Sequence, residues 1–168
     1  MYAYRPKRKN TKAALLIAVL ILISSVGFLF AFLNENAPYI VEFTALAAAA
    51  VAVLLAGRYV FREYIYAVEA RGSGFDLVIT ELRGKAHKVV CRIDISDATE
   101  IVRASADTKR RLASRAKHMK HHDYCVDLGA DDACYLFLSE EGKEVSIRFS
   151  PNGKLEELLR SMILPKGK

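Results

Sequence analysis

The side chains that could do chemistry fall into four groups. The densest is a basic run, DTKRRLASRAKHMK at residues 107–120, which holds Lys109, Arg110, Arg111, Arg115, Lys117 and Lys120. Such a run can meet anionic lipid headgroups or the acidic face of a partner protein, or simply form a solvated surface. His118, His121, His122 and Asp123 follow. His118 and His122 would share a helical face and could hold a metal, but a metal site needs three or four convergent ligands, and no recognisable spacing completes one. The segment reads as a polar helix end, and no metal or cofactor is expected. Cys91, Cys125 and Cys134 are odd in number and form no CxxC pair, which fits reduced thiols rather than a disulfide framework. A thiol nucleophile needs a neighbouring base, and the spacing supplies none. Glu42 interrupts an apolar stretch. A carboxylate there can mark an ion path, but one turn into a helix the dipole and headgroup water both accommodate it. No Gly-rich phosphate loop, Ser-His-Asp pattern or paired carboxylates stand in the chain, so it reads as a non-enzyme.

The elements that would position these residues divide the 168-residue chain in two. Residues 13–33 run without a charge and suffice for a helix across a hydrocarbon core of about 30 Å. A signal peptide has a shorter apolar core and a small-residue cleavage site, so an uncleaved span is expected. Residues 34–37 are polar, and Pro38 suits a helix start. Residues 38–57 are long enough to span again, making a helical hairpin. Ala45, Ala49, Ala52 and Ala56 on the second helix, with Gly27 and Ala31 on the first, suit close packing within it.

The net charge of +6 is uneven. Arg5, Lys7, Arg8, Lys9 and Lys12 precede the first apolar segment, and Arg58 and Arg62 follow the second. A membrane-flanking role explains this better than nucleic acid does, and the positive-inside rule places both ends of the hairpin in the cytoplasm. The expected division is a basic cytoplasmic N-terminus over 1–12, spans over 13–33 and 38–57, an external turn over 34–37, and a cytosolic domain over 58–168.

From Tyr64 the apolar period changes to two. Strands are expected at Tyr64–Glu69, Phe75–Leu82, Val89–Ile95, Ala98–Ala104, Tyr124–Leu128, Ala133–Ser139 and Val145–Phe149. Between the fourth and fifth, the basic run is expected as a helix capped by Asp107 or Thr108, with Leu112, Ala116 and Met119 as a thin apolar stripe. Ser150 and Pro151 open a last helix, on which Leu155, Leu158, Leu159, Met162 and Ile163 form one apolar stripe.

Seven strands followed by one amphipathic helix, ending in RFSPNGKLEELLRSM, resembles the pleckstrin-homology (PH) fold. The likeness is to the small PH-like domains found beside transmembrane helices in bacterial membrane proteins. It covers roughly residues 60–164. The fold class it implies is a membrane α-helical hairpin joined to a seven-stranded PH-like barrel or sandwich. Two antiparallel sheets would be closed by the C-terminal helix, with the helical insertion between strands 4 and 5. Headgroup recognition by PH domains uses basic residues near the first hairpin, where this chain offers Arg71.

The expected function is therefore non-catalytic: a multi-pass cell-membrane protein whose cytosolic domain binds a protein partner or anionic inner-leaflet lipid through Lys109, Arg110, Arg111, Arg115, Lys117 and Lys120. The alternative is a subunit of a membrane transport or channel assembly, with Glu42 or the hairpin lining a path.

Overall fold

The computed structural model describes residues 2–8, 11–34, 36–115, 119–130, 132–140 and 142–163, without the side chains of Lys109, Arg115 and Glu140. The chain forms two compact units, residues 9–62 and residues 1–8 together with 63–168.

The first unit is a hairpin of α1 (Lys12–Leu33) and α2 (Tyr39–Tyr59), with Pro38 at the N-cap position of α2. Both helices are long and apolar enough to cross a membrane. The less exposed positions of α1 are Ala13, Ile17, Leu20, Ser24, Gly27 and Ala31, alternately four and three apart. Val41, Ala45, Ala48, Ala52 and Leu55 repeat the pattern on α2. A 3.5-residue repeat is the seam of two supercoiled helices. Small residues hold its most buried positions, and the backbones approach closely where Gly27 meets Ala45: a Cβ on Gly27 would lie 2.9 Å from that of Ala45. The large apolar side chains point the other way, with Leu22 63% and Phe32 84% exposed.

The second unit holds two four-stranded sheets. The first has the order β1 (Tyr2–Tyr4), β2 (Glu63–Arg71), β3 (Gly74–Arg83), β4 (Ala86–Asp94), all antiparallel. A 3-10 turn at Ile95–Asp97, capped by the Asp94 carboxylate on the Ser96 N–H, leads to the second sheet. Its order is β5 (Ala98–Arg103), β7 (Cys134–Glu140), β8 (Lys143–Phe149), β6 (Met119–Asp123). The helix α3 (Ala106–Arg115) stands between β5 and β6, and α4 (Gly153–Met162) follows β8. Alternation puts Tyr64, Tyr66, Leu77 and Ile79 of the first sheet against Leu136, Ile147 and Phe149 of the second. Leu155 and Leu159 of α4 are fully buried in the same core, and Leu158, Met162 and Ile163 pack at its margin. Tyr66 and Phe149 meet edge to face at 5.4 Å, and the Tyr66 hydroxyl donates to the Tyr124 carbonyl at 2.8 Å.

Several expectations are corrected. There are eight strands among the described residues, not seven. One not anticipated is β1, which the basic residues around it concealed: Tyr4 pairs with Tyr66, and the Tyr2 side chain bonds Asn152. Residues 124–128 are not a strand, because the Asp123 carboxylate accepts the Cys125 N–H at 3.0 Å and turns the chain. Their alternation comes from loop residues packing inward, Val126 among them. The strand lies just before, at Met119–Asp123. It runs parallel to β8, so the second sheet is mixed rather than antiparallel. Neither Asp107 nor Thr108 caps α3. Ser105 does, its hydroxyl accepting the Thr108 N–H at 3.0 Å. Likewise α4 is capped not by Ser150 but by Asn152, whose side chain accepts the Leu155 N–H at 2.9 Å.

Candidate functional site

The structure splits the six basic residues. Lys109, Arg110, Arg111 and Arg115 belong to α3, whose first turn is fixed by Ser105 and by Thr108, a buried residue whose hydroxyl donates to the Arg103 carbonyl. Arg110 is exposed, while the Arg111 guanidinium lies 3.8 Å from Glu100 on β5. Arg111 and Leu112 face Phe137 and Leu138 across a cleft of about 170 Å³, whose wall also carries Glu100 and Glu144. That acidic wall tempers the positive charge of Arg111 on the inner side of α3. Lys117 lies outside the described residues, as do His118 and Ala116. Lys120 is not on the helix at all but on β6.

Lys120 and His122 belong instead to a second cleft, of about 340 Å³, between β4 and β6. Both are edge strands, each paired on one side only among the described residues. The floor is apolar, with Ile93, Leu138, Val145 and Ile147, and Tyr124 bridges the gap by donating to the Val90 carbonyl at 3.3 Å. His122 stacks on Tyr124 at 6.1 Å. His121, one residue earlier on the strand, points to the opposite face, where its Nδ1 lies 2.9 Å from the Ser146 hydroxyl. Burial holds the His121 imidazole below its ordinary pKa. The expected shared helical face of His118 and His122 is therefore lost, since His122 is on a strand. Among the described residues no three His, Cys, Asp or Glu side chains gather as a metal site.

Arg71, beside the first hairpin, lies 3.7 Å from the buried carboxylate of Asp76. Asp76 also takes Arg92 at 3.0 Å, and Arg92 reaches Glu69 at 3.0 Å. This end of the first sheet is a balanced ion network rather than a free anion site. Glu156 on α4 is held in the same way. Arg103 and Arg160 clamp it with contacts of 2.8–3.1 Å and lower its pKa, chiefly through the Arg103 hydrogen bonds. Of the thiols, Cys91 is half-buried, and Cys125 and Cys134 are buried. Burial pushes Cys125 and Cys134 up to about 12, so both stay protonated at neutral pH and are poor nucleophiles.

A further basic stretch stands apart from the six expected cations. Residues 83–88, RGKAHK, form the tip of the β3–β4 hairpin, with Arg83, Lys85, His87 and Lys88 all exposed. Charge density was the signal that could have found it.

Two four-stranded sheets closed by a C-terminal amphipathic helix define a PH-like domain. The chain belongs to the family described as bacterial PH-like domain (DUF6106), whose pattern matches residues 6–166 and so takes in both apolar helices and every strand but β1. No curated protein matches it.

Proposed function

We propose that the protein is a membrane-anchored, non-catalytic binding module. The helices α1 and α2 cross the bilayer, and the PH-like domain stands on the cytoplasmic side with the N-terminus, where it engages anionic lipid or a protein partner. The observation that carries this reading is the pairing of β1 with β2. It ties the residues before α1 to the residues after α2, in one folded unit. Two spans with both outer ends held in one domain return the chain to the side where it started, and the basic residues around both ends select the cytoplasmic side. The exposure of the hairpin supports lipid rather than water around it, since contiguous apolar surface on this scale is not left in water. Arg110, Arg111 and their neighbours on α3, with Lys120 on β6, are the candidate partner-binding cations. Glu42, in the first turn of α2, is exposed rather than turned to the hairpin seam, which gives a path-lining role no support.

Alkaline carbonate washing of membranes from expressing cells tests the anchoring. The full chain stays in the pellet, and a chain lacking residues 12–59 is released. Release of the full chain by carbonate contradicts the proposal.

A further inference from the structure

Both covalent connections to the hairpin leave the domain from one end of the first sheet. β1 ends at Tyr4, and the next residue, Arg5, pairs with Glu63, the first residue of β2. Glu63 stands opposite Leu82, and Leu82 opposite His87. The tip of the β3–β4 hairpin therefore lies at this same end. Gly84, at φ 60°, lets the chain reverse there. Arg83 and Lys85 are exposed and reach no carboxylate among the described residues, and Lys88 is exposed opposite Glu81. Val89, the next residue, is an apolar side chain left 51% exposed.

The covalent chain limits how far this tip can stand from the end of α2. Four residue steps lead from Tyr59 to Glu63, a reach of at most about 14 Å when fully extended. One strand spacing of about 5 Å then separates Glu63 from Leu82, and the tip begins at the next residue. We infer that the β3–β4 tip is a contact for anionic phospholipid headgroups, with Arg83, Lys85 and Lys88 meeting phosphates and Val89 resting at the interface. The inference deepens the functional proposal and rests on its claim that α1 and α2 span the bilayer. Charge complementarity chooses the occupant: basic clusters directly beside a span attract anionic leaflets. Further basic residues flank both apolar helices in the sequence. The tip is also better placed than α3 in one respect, since Arg111 already faces Glu100 while Arg83 and Lys85 face solvent.

The test uses the full chain in lipid nanodiscs of pure phosphatidylcholine or of phosphatidylcholine doped with phosphatidylglycerol, read by amide hydrogen exchange. Incorporation into both kinds of disc checks the spanning claim by itself. Given incorporation, residues 83–89 exchange severalfold more slowly in the anionic discs. The difference vanishes at about 1 M salt, where the Debye length falls to about 3 Å. It also vanishes in the variant Arg83→Gln, Lys85→Gln, Lys88→Gln, whose core peptides keep the parent's protection. Equal exchange of the tip in both discs overturns the inference, and so does slowing confined to residues 106–115. Failure to enter either disc overturns the spanning claim on which it rests.

Discussion

The helical hairpin keeps small residues inside and large apolar ones outside, and the PH-like domain does the reverse. In the hairpin the buried positions are Ala13, Ser24, Ala45 and Ala52, while Leu22, Phe32 and Phe43 face outward. In the domain Tyr66, Leu77, Ile147, Phe149 and Leu159 are buried and the basic side chains face outward. On the proposed reading the same amino acids are sorted by opposite rules because the two units meet different solvents. Water drives large apolar surface inward. Lipid supplies no such drive, so helices associate through close packing of small residues. The contrast makes the outer surface of the hairpin as informative as the core of the domain.

The largest expected effect breaks the domain side of this contrast. Leu159→Asp buries a charge beneath the sheets and costs several kcal/mol. Circular dichroism of the purified full chain should lose its β signal and keep its helical one. The matched change in the hairpin, Leu22→Asp, leaves the domain folded. At a helix centre it disfavours insertion by about 2.5–3.5 kcal/mol, and it should move protein from the membrane pellet to the soluble fraction or to degradation. Unchanged membrane partition of Leu22→Asp would mean that the outward face does not meet lipid.

A smaller effect tests the seam. Gly27→Val forces side-chain atoms against Ala45 and should destabilise the hairpin by about 1–3 kcal/mol, as overpacking does. Denaturation of detergent-solubilised protein by dodecyl sulfate, followed by helical signal, reads this, and the domain's own melting should stay where it was. Glu156→Gln removes the charge that Arg103 and Arg160 clamp, at about 1–2 kcal/mol for hydrogen bonds to a charged group. It should lower the domain's melting temperature and leave the hairpin untouched.

The smallest effect is a pH dependence confined to the domain. His121 has a pKa below its ordinary 6.5 because burial disfavours its charged form. The unfolded chain therefore binds more protons than the folded one just below pH 6.5, and stability falls as the pH drops through that window. The domain should melt at a lower temperature at pH 5.5 than at pH 7.5, and His121→Gln should flatten the difference. A melting temperature that rises on acidification would contradict the placement of His121.

The long elements were legible in the sequence because one local pattern dictates each of them. Long apolar runs gave α1 and α2, and the stripe through Leu155 and Leu159 gave α4. The alternation of Leu77 and Ile79 gave β3. What was not legible depends on partners distant in sequence. Tyr2–Tyr4 is a strand only because β2 offers it an edge 62 residues later, in a stretch whose Arg5, Lys7 and Arg8 read as a membrane flank. Met119–Asp123 reads as the tail of a basic helix, and becomes a strand because buried Met119 and the edge of β8 capture it. That capture also dismantles the expected basic site, by moving Lys120 from helix to strand, and the expected histidine pair with it. The cations at residues 83–88 were visible as residues, but their place at the connection end of the sheet follows from the register of β2, β3 and β4, which no local pattern states.

The account stands on the claim that residues 12–59 cross the membrane twice and that the domain shares a side with the N-terminus. Alkaline phosphatase, active only outside the cytoplasm, can be fused after Thr11, after Asn36 or after Ile163 in a bacterial host. Activity is expected from the Asn36 fusion alone. Activity after Thr11 and Ile163 with none after Asn36 would invert the topology, and activity after only one of those two ends would contradict the pairing of β1 with β2.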